Sequence, residues 1–261
     1  MKNELDNRMK KYEKCYNFQI PSRTYTMIRF DGRGFSKYTK GFKKPFDKLL
    51  SGAMDAASMA IGKEFNGKLV YTQSDEISIM LTDIENIDSE LPFGGKIQKL
   101  CSIGATCVAN AFNKFMLSNL MMEYGGDLKK LSEFNFAEFD ARVYQIPDFR
   151  EVSNYFIWRQ QDSTRNSVSM AACANNTISH KEQQNKNTNE LQEMLFQKGI
   201  NWNDYPEKFK RGSVFVREVY EKPITSGDVT STVTRSRWAY KETPIFTQDK
   251  EFLYSLIPTI K

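Results

Sequence analysis

The chain has 261 residues, 40% of them hydrophobic and 26% charged, the balance of a globular protein with one large domain or two small ones. This excludes disorder, collagen and coiled coil as descriptions of the whole, and no apolar run approaches the roughly 20 residues of a membrane helix. Lys and Arg outnumber Asp and Glu 37 to 32, an excess that permits a polyanionic partner without demanding one.

In chain order, Met1 to Lys14 is charged throughout and has no apolar signal stretch, so a cytoplasmic protein is expected. Tyr25 to Phe30 reads as a first strand and stops at the turn Asp31-Gly32-Arg33-Gly34. A helix opening at Pro45 follows, with Phe46, Leu49, Leu50, Ala53, Ala57, Ile61 and Phe65 at helical spacing and Asn66-Gly67 as its stop. Leu69 to Thr72 and Ile77 to Leu81 form a tight hairpin around Gln73-Ser74-Asp75-Glu76. Lys96 to about Met122 is a long helix, and Phe136 to Ile146 a further strand. Beyond Pro147, helices are expected at Glu151 to Gln161, Asn166 to Ala174 and Thr188 to Lys198, then strands at Val214 to Tyr220 and Thr230 to Trp238.

The order β-α-β-β-α-β predicts an α+β fold. It is the ferredoxin-like arrangement used by polymerase palms, spanning residues 1–147 with an N-terminal extension. Residues 148–261 are expected to pack on it as a mostly helical elaboration. Polymerase palms share this architecture with many unrelated proteins, so it does not by itself name a function.

The four cysteines (Cys15, Cys101, Cys107, Cys173) form no CxxC pair, which argues against zinc and disulfides and for a reducing compartment. There is one histidine, His180, in a polar stretch, so chemistry must lean on carboxylates, metals or cofactors. The topology brings Asp31, ending the first strand, to the same sheet edge as Asp75 and Glu76, read as the hairpin turn. Convergent carboxylates suit hard divalent cations, and two such ions about 3.5–4 Å apart serve phosphoryl and nucleotidyl transfer. Each segment is equally an ordinary turn, and spacing alone leaves both readings open. The loop Gly32-Arg33-Gly34-Phe35-Ser36, followed by Lys40, Lys43 and Lys44, suits a triphosphate cradled by backbone amides, or a solvated loop. Trp158-Arg159, Arg165 and Asn166, together with Lys208, Lys210, Arg211, Arg235 and Arg237, suit an RNA backbone, or core packing and solvated charge.

Five ordered blocks carry a resemblance. They are Ile28 to Phe35 (IRFDGRGF), Lys44-Pro45-x-Asp47, Tyr71 to Ser78 (YTQSDEIS), Phe139 to Val143 (FDARV) with Tyr155 to Asp162, and Thr234-Arg235-Ser236-Arg237. Together, from about Thr24 to Arg237, the chain resembles the tRNA-His guanylyltransferase superfamily. The resemblance implies a palm-like enzyme that adds nucleotides in the 3′–5′ direction to the 5′ end of tRNA. It implies that Asp31 and Asp75 bind two Mg²⁺ ions with the carbonyl of Gly32, and that Glu76 supports the acidic site. It implies that Gly32, Arg33, Gly34, Phe35, Ser36, Lys44, Asp47 and Ser74 hold ATP or GTP. A homotetramer with one RNA bridging subunits is likewise implied. Eukaryotic members carry a His-Ile-Asn-Asn type segment where this chain has Thr164-Arg165-Asn166-Ser167. The stretches Ser179 to Glu182 and Met194 to Asp204 are similar to the bacterial and archaeal "-like" branch, associated with templated 5′-end repair. Templated 3′–5′ addition is therefore expected. The alternatives are addition of one guanosine to tRNA-His, an enzyme that activates nucleotides without RNA, and an RNA-binding protein with a degenerate site.

Overall fold

A computed structural model describes residues 4–123, 125, 134–226 and 229–259. Its strands are β1 (Tyr25–Gly32), β2 (Leu69–Gln73), β3 (Glu76–Thr82), β4 (Phe139–Ile146), β5 (Ser213–Ser226) and β6 (Val229–Lys241). Its α-helices are α1 (Glu4–Lys14), α2 (Phe35–Tyr38), α3 (Lys48–Glu64), α4 (Ile97–Glu123), α5 (Phe149–Cys173), α6 (His180–Gln183), α7 (Thr188–Gln197), α8 (Glu207–Arg211) and α9 (Lys250–Leu256). Among the described residues no helix is long and apolar enough to cross a membrane.

All six strands join one antiparallel sheet in the order β4-β1-β3-β2-β5-β6. The first four give the order expected of a β-α-β-β-α-β unit, with β1 and β3 in the middle. Alternation along the strands divides the side chains between two cores. Ile28, Phe30, Val70, Ile77, Ile79 and Leu81 pack against α3 and α4. Met27, Leu69, Tyr71 and Met80 pack on the opposite face against Val152, Tyr155 and Phe156 of α5 and Leu253 of α9. Both faces of β2 and β3 are therefore covered, so these strands read as continuous apolar runs rather than alternating ones. A third cluster, around Leu191, Leu195 and Trp202, seats α7 on the end of α5.

Four expectations are corrected. The helices expected at Glu151 to Gln161 and Asn166 to Ala174 are one helix, α5. No Gly or Pro interrupts the polar stretch between them. Arg159, Asp162 and Arg165 are ion-paired at i,i+3 along it, and Ser163 and Ser167 are buried. Second, α3 opens at Lys48 rather than Pro45, because the Asp47 carboxylate accepts from the backbone N–H of Leu49 (2.8 Å) and Leu50 (3.0 Å) as its N-cap. Third, β4 begins at Phe139 rather than Phe136; the Asn113 side chain holds both backbone groups of Ala137 (2.8 and 2.9 Å), tying that stretch to α4. Fourth, the last two strands are longer than expected. β5 pairs with β2 only through Ser213, Val214 and Phe215, and beyond that pairs with β6 alone as a projecting arm. Among the described residues of the arm none beyond Val216 is buried, so the apolar alternation that marks a strand is weak there.

The loop after β1 is set by one aromatic ring. A Cβ on Gly32 would stand 2.2 Å from the Phe35 ring, which is buried against Tyr38, Phe112 and Phe139. Gly32→Ala is expected to destabilise the protein by about 1–3 kcal/mol, the cost of forcing an overpacked ring aside. Urea unfolding checks this, and Gly32→Ala combined with Phe35→Leu is expected to recover part of the loss.

Candidate active site

The register brings acids together across three strands. Asp31 in β1 lies opposite Glu76 in β3 on one side and Asp140 in β4 on the other. Cross-strand partners point to the same face, here the α5 face, so the three carboxylates form a row at the end of the central strands. Asp75 joins them from the two-residue turn Ser74-Asp75, in which Ser74 takes a left-handed φ of 51°. The Gly32 N–H donates to the Asp75 carbonyl at 3.1 Å, fastening the turn to the end of β1. The Ser74 hydroxyl donates to the Asp75 carboxylate at 2.9 Å. Burial raises the Asp75 carboxyl above its usual range; the Ser74 bond opposes this and the charge of Asp31 adds to it.

Glu76 is not in the turn, contrary to expectation: it opens β3, paired with Gln73. A two-residue turn leaves no room for it, and the sheet ladder claims its backbone. Its carboxylate is gripped in a fork by Arg159 of α5, Nε to Oε1 at 2.8 Å and Nη2 to Oε2 at 2.7 Å. The side chains of this pair are only 6% and 9% exposed. Burial raises the Glu76 carboxyl against the pull of Arg159. Arg159 also reaches Asp162 at 2.7 Å and lies 4.4 Å from the centre of the half-exposed Trp158 ring. Burial acts to raise the Asp162 carboxyl, but Arg165 and Arg159 hold it below the usual range.

Next to the turn opens a cavity of about 390 Å³ between α2, α3, α5 and α8. Phe35, Ser36, Lys44, Asp47, Ser74 and Asp75 all line it. Gly32 and Arg33 do not: their backbone N–H groups donate to the carbonyls of Asp75 and Glu138, and the Arg33 side chain pairs with Glu138 at 2.7 Å. Gly34, at φ 65°, turns the chain into α2, whose first amides belong to Phe35 and Ser36. Asp47 spends its carboxylate on the α3 cap and on the Lys43 N–H (3.0 Å). Asp47→Ala is expected to cost about 0.5–2 kcal/mol of stability, as loss of a cap does. Asp47→Asn should retain most of it, since the amide oxygen still accepts; thermal melts of the two variants make the comparison.

The basic residues expected to meet RNA fall in separate places. Arg159 is buried on Glu76. Arg211 is mostly buried and paired with Glu207. Arg165 is exposed beside Asp162, and Asn166 lines the cavity. Arg235 and Arg237 are exposed on the arm, Arg237 over the Tyr220 ring at 5.3 Å. Sequence reasoning missed three features. Asp140 is one; its signal was present in the FDARV block, but only strand register places it beside Asp31. The others are the stacked pair Phe46–Phe209 (4.9 Å) and the ion pair Asp55–Lys208 (3.0 Å) on the cavity wall, which join segments too distant in sequence to be paired by eye. Among the described residues no group of three or more His, Cys, Asp and Glu stands at metal-ligating spacing.

Residues 6–147 match the family model described as tRNAHis guanylyltransferase. The structure is similar to that of a bacterial tRNA(His) guanylyltransferase (Thg1)-like protein in complex with ATP. The two are 36% identical with a TM-score of 0.82, over 99% of this chain and 100% of that one. Such a protein in complex with GTP gives 36% identity and a TM-score of 0.77, over 97% and 99%. The chain is 30% identical to the tRNA(His) guanylyltransferase of Schizosaccharomyces pombe over 80% of this chain and 79% of that one. It is 32% identical to protein R259 of Acanthamoeba polyphaga mimivirus, matching 63% of this chain and spanning 60% of that protein's length. The chain belongs to the tRNA(His) guanylyltransferase family of nucleotidyltransferases.

Proposed function

We propose that this protein adds nucleotides in the 3′–5′ direction to the 5′ end of tRNA, choosing each by the opposing base, and so repairs truncated ends. The cavity is the observation that carries this reading: Ser36, Lys44 and Ser74 line it, and Asp75 joins it to the row of carboxylates begun by Asp31. In this reading the amides of Phe35 and Ser36 with Lys44 hold the phosphates of ATP or GTP, the nucleotides bound by the similar bacterial proteins. Asp47 shapes the wall by fixing the turn from Lys43 into α3. The aromatic pair Phe46–Phe209 offers an apolar wall to a base.

Asp31 and Asp75, with the Gly32 carbonyl, would hold two Mg²⁺ ions. The donor set fits, being hard oxygens brought together from two segments. The mutual repulsion that contributes to raising the Asp75 carboxyl is relieved by a cation between the two acids. When bound, such ions offset the negative charge that builds on a phosphate during transfer. The reaction this supports has two stages. The tRNA 5′-monophosphate attacks the α-phosphate of ATP and displaces pyrophosphate; the 3′-hydroxyl of the incoming nucleotide then loses its proton, attacks that activated 5′-phosphate and displaces AMP. The chain's own part is to place the phosphates with Lys44 and to hold the end of β3 through Arg159 and Glu76. Arg235 and Arg237 on the arm and Arg165 beside the cavity would carry the RNA body, bound by a tetramer.

The test uses a 5′-labelled tRNA lacking its first nucleotide, given ATP, Mg²⁺ and each nucleoside triphosphate in turn. Addition of only the complementary nucleotide supports templated repair. The second reading, one guanosine on tRNA-His, is favoured by the likeness to the S. pombe enzyme; guanosine added whatever it faces would establish it instead.

A further inference from the structure

A second hollow, of about 600 Å³, opens between the C-terminal end of α3 and the root of the β5–β6 arm. The rise of α3 from its Asp47 cap to Lys63 sets it about 24 Å along the helix from the end of the first cavity. Trp238 and Met59 supply its apolar wall. Gly62 and Gly67 let the Trp238 ring onto the end of α3; a Cβ on them would stand 2.8 Å and 3.6 Å from it.

The polar wall is made of donors. The Arg217 Nε–H donates to Ser236 Oγ at 3.0 Å and an Nη1–H to Asn66 Oδ1 at 3.2 Å. These bonds turn both acceptors toward Arg217. They leave the Ser236 O–H, the Asn66 amide N–H groups and the rest of the guanidinium free to donate. Lys63 adds an ammonium group. Among the described residues no carboxylate pairs with Lys63 or Arg217. Glu218 faces the other way, to Arg237 at 3.4 Å, and the charge of Glu64 acts on Cys107 of α4.

The fold itself does not call for both cations here. A lysine in the last turn suits the helix dipole. The last carbonyls of α3 are nevertheless met by backbone, since Phe65, Asn66 and Gly67 donate to Ile61, Lys63 and Gly62. Arg217 is brought in from β5 and serves no helix end. Donors without an acid, beside an aromatic ring, fit a ligand that is all acceptor at one end and planar at the other.

We propose that this hollow is a second nucleotide site, with phosphate on Lys63 and Arg217 and the nucleobase against Trp238 and Met59. The nucleotide is free or is one unit of an RNA chain; the chemistry recognised is the same. The site is separate from the reaction proposed above and does not rest on it.

Fluorine NMR of the full chain labelled with 5-fluorotryptophan tests it. The chain has three tryptophans, and Trp238→Phe identifies the Trp238 resonance. ATP in EDTA probes a free nucleotide, and a tRNA transcript probes an RNA unit. Movement of the resonance by ATP assigns the site to free nucleotides; movement by tRNA without movement by ATP assigns it to RNA. Lys63→Gln with Arg217→Gln is expected to weaken the titration at least about tenfold, the loss of two charge-assisted contacts. Both residues are exposed, so this variant should melt near the wild-type temperature. Lys63→Gln alone, which gives up no hydrogen bond among the described residues, is expected to weaken it severalfold. Inorganic triphosphate, which cannot stack, should need at least about tenfold more than the nucleotide. An unmoved Trp238 resonance with both probes, an unaltered titration in the double variant, or inorganic triphosphate that moves the resonance at the same concentration as ATP would each overturn the proposal. The ring itself is the readout, so binding in the cavity beside Asp75 is not counted and either site can fail without the other.

Discussion

Asp31→Ala and Asp75→Ala are each expected to lower nucleotide addition by at least about 10³-fold while leaving RNA affinity within a few-fold of wild type. The size follows from what the carboxylates hold: charge stabilisation at a transferring phosphate is worth several kcal/mol, and each 1.36 kcal/mol is about tenfold in rate. RNA affinity should survive because the exposed basic residues, Arg165, Arg235 and Arg237, lie apart from the two acids on α5 and the β5–β6 arm. Asp75→Asn sharpens the experiment. The amide keeps the shape of the turn and still accepts from Ser74, so folding is retained and only charge is removed. Primer-addition rates and fluorescence anisotropy with labelled tRNA measure the two quantities. Near wild-type addition by either alanine variant would remove the carboxylates from the chemistry.

Arg159→Ala carries the second large effect, on stability as well as rate. It leaves the Glu76 carboxylate buried without its partner, at a cost of about 3–5 kcal/mol. For a chain of this size, that corresponds to a fall in melting temperature of roughly 6–20 °C. Removing both charges as Glu76→Leu with Arg159→Met is expected to be milder than Arg159→Ala alone, because no unpaired charge stays behind. The double variant should nevertheless remain slow in nucleotide addition, since the end of β3 beside Asp31 would lose the clamp that orients it. Thermal melts and addition rates on the same preparations separate the two effects. A single variant as stable as wild type would show that Glu76 finds another partner; Arg29, whose Nε lies 4.0 Å away, is the nearest candidate.

Local patterns in the chain carried much of this. Apolar steps of three and four residues marked α3, and a run ending in Asp-Gly marked β1, because periodicity and turn chemistry depend on neighbours a few residues away. The order of elements then implied a ferredoxin-like sheet with β1 in the middle and the β2–β3 hairpin beside it, and the sheet has that arrangement in its order β4-β1-β3-β2. That Asp31 and Asp75 share one sheet edge was legible for the same reason, because topology brings a strand end to a hairpin turn. The ordered blocks identified the family without any coordinates.

Contacts between distant segments decided the rest. The stretch Gly32 to Ser36 presented five residues as one phosphate loop, but Gly32 is small for the sake of Phe35, Arg33 belongs to Glu138, and only the loop's end reaches the cavity. Asp47 belongs to the Lys44-Pro45-x-Asp47 block, yet its carboxylate caps a helix. Arg159 had the composition of an RNA contact and is instead 83 residues from the carboxylate it clamps. The division has a physical basis. Helices, turns and strand order follow from interactions within a few residues and from the short reach of the connecting chain. Whether a charge meets solvent, a ligand or another buried charge depends on which distant surface packs over it, and only the folded chain sets that.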